Sequence, residues 1–402
     1  MPPQDFVRAR ETGQVCVEVD GCPYLPQTTA SPKGPRRDVA AAVLAVLNFS
    51  ADDDALDLLT VEPVTGGLSN TLFRVSGLLK ACKKKATNNS ASDQNDCNNT
   101  NNHQQGDLKM DAVLVRIFGA EGMIDRDLET STFAALAREG LAPPYYGRFA
   151  TGRLEGWMDG MRPLQVRELS LDPIIRGVAQ QVALLHTHFH IPADLQEYYQ
   201  TPSMWQQLEE WLNQALQNKY QNDHDASRAA SLQLSTIKDE FEWMRREIIP
   251  PTAAVVYCHN DVLAANILYN EKTQSLRLID FEYGGCNYKS FDLANHWNEY
   301  AGGPPNQTVP QYDWLPNQTQ QTLFCRTYLE TAAGTASVVT DQQVETLRRE
   351  VQAFLLPNHL YWGLWGVNQA ATEGCQDYDY MLYGMERFKQ YHLCKKELLS
   401  KR

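Results

Sequence analysis

The chain has 402 residues, 43% of them apolar and 21% charged, with a formal net charge of -13. That length exceeds what one hydrophobic core ordinarily holds, so two lobes are expected, and with no segment in basic excess a nucleic-acid partner is excluded. The nine cysteines are scattered singly without a CxxC pair, which supports neither a zinc site nor a disulfide framework and points to a reducing, cytoplasmic setting.

Residues 1–37, rich in Pro, Gly and charge, read as a loosely ordered extension. "DVAAAVLAVLNF" then has helical periodicity, with Val43, Leu44 and Leu47 on one face. "LTVEPVTGGLSNTLFRVSG" reads as strand, Gly turn, strand. The Asn- and Gln-dominated tract at about 84–107 cannot bury enough apolar surface to order itself, and reads as a disordered insert. It joins "LFRVSGLL" to "AVLVRIFG", expected to be neighbouring antiparallel strands, where a long insertion costs little closure entropy. "MIDRDLETSTFAALAREG" is a helix ending at Gly140, and "LAPPYYGRF" with "GRLEGWMDG" reads as a loop and the edge of a sheet. From Asp172 the pattern is mostly helical, apart from strands near residues 255–270 and at "LRLIDFEYGG". The fold class is therefore α+β, with a sheet-rich half at 38–162 and a larger helical half at 163–402. No apolar run is long enough to span a bilayer and no signal-peptide stretch opens the chain, so no stable membrane insertion is expected.

In "VVYCHNDVLAANILYN" an apolar run meets His259, Asn260 and Asp261, with Asn266 shortly after. Alone, D-x-x-x-x-N is more often an ordinary loop. Here Asp280 follows after a short hairpin, in "LRLIDFEYGG", and both flanks are apolar. A loop Asp, a following Asn and a later Asp make up the phosphoryl-transfer set: the first accepts the proton of the attacking hydroxyl, the others hold magnesium. Asp261, Asn266 and Asp280, with His259 beside them, are the catalytic candidates.

"HNDVLAANILYN" and "LIDFEYGGCNYKSFDLANHWNEYAG" resemble the paired motifs of the choline/ethanolamine kinase family, a branch of the protein-kinase-like fold. "GGLSNTLFRV", "VLVRIFG", "DRDLETSTF", "YWGLWGVNQA" and "YMLYGMERF" fit the same family in the same order, over roughly residues 40–395. The resemblance implies a two-lobed kinase using ATP and Mg2+ on a small amino alcohol. It implies that Gly66 and Gly67 bring backbone N–H groups to the phosphates, with Ser69 and Asn70 as side-chain donors. It implies that Arg116 grips the phosphates and is held straight by Glu129. As isolated residues both would more often be solvated charges. The adenine hinge falls in residues 156–162.

Glu282 lies two residues after Asp280, on the same face of a strand-like segment, and is a candidate for a second magnesium site. An exposed surface Glu is the competing reading. In "FDLANHWNEY" the resemblance has Asp292 bracing the catalytic loop and Glu299 near the amine, while His186 and His296 are structural. Trp362 and Trp365 share a helix face. With Tyr383 they match the family's ammonium-binding rings, although aromatic stripes at this spacing usually belong to a core. The expected reaction is phosphorylation of ethanolamine to phosphoethanolamine, the first step of the phosphatidylethanolamine branch of phospholipid synthesis. The Asn-Glu-Tyr-Ala-Gly run at Glu299 leans that way. The alternatives are a choline or dual-specificity kinase, another small-molecule kinase of this fold such as an aminoglycoside kinase, and a catalytically inactive kinase-like binding protein. Whether the chain pairs as a homodimer is left open.

Overall fold

The computed structural model describes residues 22–64, 70–82, 108–119, 125–303, 308–334, 338–376 and 378–400. Gly66, Gly67, Ser69, the Asn-rich tract and residues 1–21 lie outside them. The chain divides into two compact units, Met1–Asp159 and Gly160–Arg402.

The first unit is built on a six-stranded sheet of order β1-β5-β6-β4-β3-β2. The strands are β1 (Tyr24–Leu25), β2 (Thr60–Val64), β3 (Asn70–Ser76), β4 (Ala112–Phe118), β5 (Tyr145–Phe149) and β6 (Gly152–Gly156). Its longer helices are α1 (Arg36–Val46) and α2 (Arg126–Arg138), with a single turn at Asp53–Leu56. α1 packs Val39, Val43, Leu44 and Val46 into a core with Phe73, Val75, Val113, Val115 and Leu154. Removing this apolar surface from water holds the helix on the sheet. Asp125 caps α2 by accepting from the amides of Asp127 and Leu128 at 3.1 Å. Gly140 follows the helix at φ +73°, a backbone that glycine adopts without strain.

Two expectations are corrected here. The N-terminal stretch is not loose throughout: from Cys22 it is built in, as β1 runs parallel to β5 with Tyr24 opposite Arg148. The Arg148 guanidinium lies 4.6 Å from the Tyr24 ring centre, a cation–π contact that pins the strand. And β6 is not an edge strand. It lies between β4 and β5 and all five residues are buried, the charges of Arg153 and Glu155 being matched inside the sheet.

The second unit opens with a two-residue strand, β7 (Arg162–Pro163), which pairs with β9 (Ile267–Asn270). Arg162 is bridged to Glu168 and Glu271. Residues 160–162 therefore belong to the second unit, and the first unit ends before residue 162. The helices are α3 (Asp172–His188), α4 (Ser203–Ala215), α5 (Asp223–Ser231), α6 (Ile237–Trp243), α7 (Lys289–Glu299), α8 (Gln318–Ala333), α9 (Asp341–Thr372) and α10 (Tyr380–Ser400). Two small antiparallel pairs are embedded among them: β8 (Val255–Cys258) with β11 (Gly285–Tyr288), and β9 with β10 (Ser275–Leu278). α9 and α10 approach so closely that a Cβ on Gly384 would meet the Gly363 carbonyl at 2.9 Å. A Cβ on Gly366 would meet the Tyr380 carbonyl at the same distance. Only glycine permits that seam.

Candidate active site

The catalytic candidates sit on two loops that leave and rejoin the small strand pairs. The first follows β8 and the second runs from β10 to β11. Cys258 faces Gly285, and Leu278 faces Ile267, so both loops are clamped at their bases. Asn260 stitches them together: its amide donates to the Tyr283 carbonyl at 2.9 Å and accepts from Asn287 at 2.8 Å. Asn260 and Asp280 both adopt φ +64°. Asn and Asp tolerate this left-handed backbone better than other L-residues, but it still needs surrounding contacts to persist.

Asp292, at the start of α7, holds the first loop from below. Its carboxylate accepts from the amides of His259 at 2.8 Å and Asn260 at 2.7 Å, and meets His186 Nε2 at 3.0 Å. Burial would raise this carboxyl, but His186 and His259 bring it below its usual value. His186 Nδ1 in turn contacts the Tyr328 hydroxyl at 3.0 Å, and His296 Nδ1 donates to the Val262 carbonyl at 2.9 Å. Both are braces. So is His259, which was grouped with the catalytic residues. Its Nε2 donates to the Ile279 carbonyl at 2.9 Å, while Nδ1 accepts from the Asp261 amide at 3.3 Å. Burial depresses its pKa, and with both ring nitrogens bonded neither is free for substrate. Its work is to hold Asp261 in place.

Asp261 Oδ2 accepts from the Asn266 amide at 2.9 Å, and that amide also reaches the Asp261 carbonyl at 3.0 Å. Asp261 Oδ1 takes no hydrogen bond from the described residues. Burial pushes the Asp261 carboxyl well above its usual range, and the charges of Glu299, Asp280 and Glu282 push it the same way. A buried acid whose charged neighbours are all acids is a site made for cations. Carboxylates with an amide carbonyl are the oxygen donors Mg2+ takes, and Asn266, having turned its N–H groups to Asp261, presents that carbonyl. Asn266, Asp280 and Glu282 thus fit a metal.

A ring cluster adjoins these acids. Trp362 and Trp365 lie 5.6 Å apart between centroids, with Tyr283 at 5.5 Å from Trp362 and Tyr383 at 6.1 Å from Trp365. Trp365 Nε1 donates to the Tyr283 hydroxyl at 3.2 Å. Glu299 ends α7 beside them, buried and without a hydrogen bond from the described residues. Burial raises its carboxyl to about 7, with Arg387 pulling the other way. Tyr283 and Arg387 escaped the sequence reading. The signal for Tyr283 was its position directly after Glu282, and for Arg387 its place one helical turn after Tyr383.

In the first unit Arg116 and Glu129 are both buried but are not the expected pair. Arg116 Nε donates to Glu155 at 2.7 Å, and Arg153 donates to the same oxygen at 2.8 Å and to Glu129 at 2.5 Å. The cause is sheet register. Arg116 lies opposite Arg153 on neighbouring strands, and two like charges so placed need a carboxylate between them. Glu155, at period two from Arg153 on the same face, provides it. Asn70 is buried at the start of β3.

Residues 61–392 match the family described as choline/ethanolamine kinase. The chain belongs to the choline/ethanolamine kinase family. It is 33% identical to mouse ethanolamine kinase 1 over 73% of this chain and 80% of that one. It is 30% identical to the probable choline kinase 3 of Arabidopsis thaliana over 85% of this chain and 88% of the other. The solved structure of Plasmodium vivax ethanolamine kinase superposes with a TM-score of 0.68 at 22% identity, covering 90% of each chain, and so shares the protein-kinase-like fold. A family member of this kind is a kinase acting on an alcohol. No helix among the described residues is long and apolar enough to cross a membrane.

Proposed function

We propose that the chain transfers the γ-phosphoryl group of ATP to the hydroxyl of ethanolamine, giving phosphoethanolamine and ADP. The observation that carries this reading is the meeting of Asp261, with one carboxylate oxygen open, with a ring cluster beside a buried carboxylate. An amino alcohol is a cation and a hydroxyl a short distance apart, and these two features meet its two ends. The ring faces attract the ammonium through their quadrupole and Glu299 supplies the countercharge. The hydroxyl then reaches Asp261.

In the step itself the hydroxyl oxygen forms a bond to the γ-phosphorus as the bond from that phosphorus to the bridging β–γ oxygen breaks. Asp261 Oδ1 takes the hydroxyl proton, its raised affinity for protons suiting it to the task. Asn266, Asp280 and Glu282 would hold Mg2+, which when bound neutralises phosphate charge. Arg116, kept in place by Glu155, steadies the phosphates. Catalysis is positioning and charge neutralisation, without a covalent enzyme intermediate. The same assignment leads to the phosphatidylethanolamine branch of phospholipid synthesis and a cytoplasmic enzyme.

The second reading is choline as substrate, favoured by the ring walls, which suit a trimethylammonium that cannot donate hydrogen bonds. The ethanolamine reading leans on Glu299, an acceptor for N–H groups. A panel of ethanolamine, choline and an aminoglycoside with ATP and Mg2+ tests both. Ethanolamine as the best substrate by kcat/KM is expected. A higher value for choline reverses the assignment, and turnover of neither amine removes it.

A further inference from the structure

A chain of buried amides runs beneath the ring cluster and takes no part in the step above. Arg387 Nη2 on α10 donates to Asn358 Oδ1 on α9 at 2.7 Å. Asn358 Nδ2 donates to Asn295 Oδ1 on α7 at 2.9 Å. The same oxygen accepts the indole N–H of Trp362 at 2.6 Å. Asn298 adds a second donor to Asn358 Oδ1 at 2.7 Å. Asn295, Asn298, Asn358 and Arg387 are fully buried, and Trp362 nearly so.

The ends of this chain dictate its sense. A guanidinium and an indole can only donate. Arg387 therefore forces oxygen toward itself at Asn358, which forces the Asn358 NH2 toward Asn295. Asn295 must answer with its own oxygen, and that oxygen is what the Trp362 indole needs. Reversing Asn358 or Asn295 would set N–H against N–H in a region water does not reach, where an unmade hydrogen bond is expensive.

We propose that Asn358 is a positioning residue for the amine site: through Asn295 it fixes the orientation of the Trp362 ring, with Arg387 as the donor that sets the polarity of the relay. This rests on the reading of Trp362 as a wall of the amine site. It assigns specificity to residues that never touch the substrate.

The test is Asn358→Asp. A carboxylate still accepts from Arg387 and Asn298 and has nearly the same shape, but it cannot donate to Asn295. Asn295 is then expected to reverse its amide, presenting N–H to the Trp362 indole and releasing it. The Trp362 indole N–H resonance, assigned by its loss in Trp362→Phe, should move. The KM for the amine should rise roughly fivefold, about the net worth of one hydrogen bond, with the KM for ATP unchanged. In a Trp362→Phe background, where there is no indole N–H left to release, Asn358→Asp should add nothing further. An unmoved indole resonance, or effects on KM that simply multiply, would overturn the proposal. If the wild-type protein phosphorylates neither amine, the substrate reading has failed, and the resonance still decides the relay. If Asn358→Asp does not fold, Trp362→Phe decides alone: it keeps a ring but loses the anchor, so a similar rise in amine KM is expected, and an unchanged KM overturns the relay.

Discussion

Glu299 offers the sharpest handle on the amine site. Burial lifts its carboxyl to about 7 in the absence of a bound cation. Only the ionised form attracts an ammonium, so below about pH 7 a cation binding there must displace a proton. At pH 6 about a tenth of the carboxyl is ionised and at pH 8 about nine tenths. The KM for the amine should therefore fall roughly tenfold between those values. The groups facing Glu299 are Asp261 from the catalytic loop, Arg387 and Tyr383 from α10, and Tyr312 and Tyr378. Burial moves the three tyrosines further above neutrality, so none titrates in this window. Asp261 acts on turnover and is followed separately through kcat. Choline serves as the control amine, since its charge is permanent and any slope it shows belongs to the enzyme. Glu299→Gln should raise the amine KM and flatten the profile while leaving the KM for ATP alone. A wild-type KM independent of pH, or a slope that survives in Glu299→Gln, would refute the reasoning.

Asp261→Asn should lower kcat by about three orders of magnitude with ATP binding nearly intact, because an amide keeps the shape but cannot take the proton; near-normal turnover would remove Asp261 from that role. Asp280→Ala should abolish magnesium-dependent turnover, with partial recovery at high Mg2+ or Mn2+, and a metal titration identical to wild type would count against Asp280 as a ligand. Trp365→Ala removes a ring wall and the donor to Tyr283, and should raise the amine KM about thirtyfold, the worth of one desolvated cation–π contact of about 2 kcal/mol. A change confined to ATP would place Trp365 elsewhere.

The loop carrying Asp261 and Asn266 stood out in sequence because an Asp, an Asn and a second Asp in fixed order, between apolar strands, have few other uses. The Trp362 and Trp365 pair was legible because helical spacing alone puts two rings together. The partner of Arg116 was not. Glu155 lies 39 residues further on and meets it only through the pairing of β4 with β6, which no local pattern encodes. For the same reason the interior place of β6 was not legible: the buried charges of Arg153 and Glu155 look in sequence like a solvated face. Asn295 stood in a readable motif, but its bonds to Asn358 and Trp362 span 63 and 67 residues. β1 has two residues and no periodicity of its own, so tertiary pairing makes it a strand. Gly66, Gly67 and Ser69 lie outside the described residues and stay an expectation of the resemblance.

On the proposed reading of the amine site, the glycine seam between α9 and α10 acts as a calliper on the amine. Trp365 stands on one jaw and Tyr383 on the other, and main-chain atoms come close where the Gly363 carbonyl faces Gly384 and the Tyr380 carbonyl faces Gly366. The two rings, edge to face at 6.1 Å between centroids, are thus held in contact by main-chain spacing. A methyl group added at Gly366 would press on the Tyr380 carbonyl and on the Tyr383 ring itself, at 3.1 Å, and the jaws would have to part. The width of the proposed ring wall is then inherited from helix spacing.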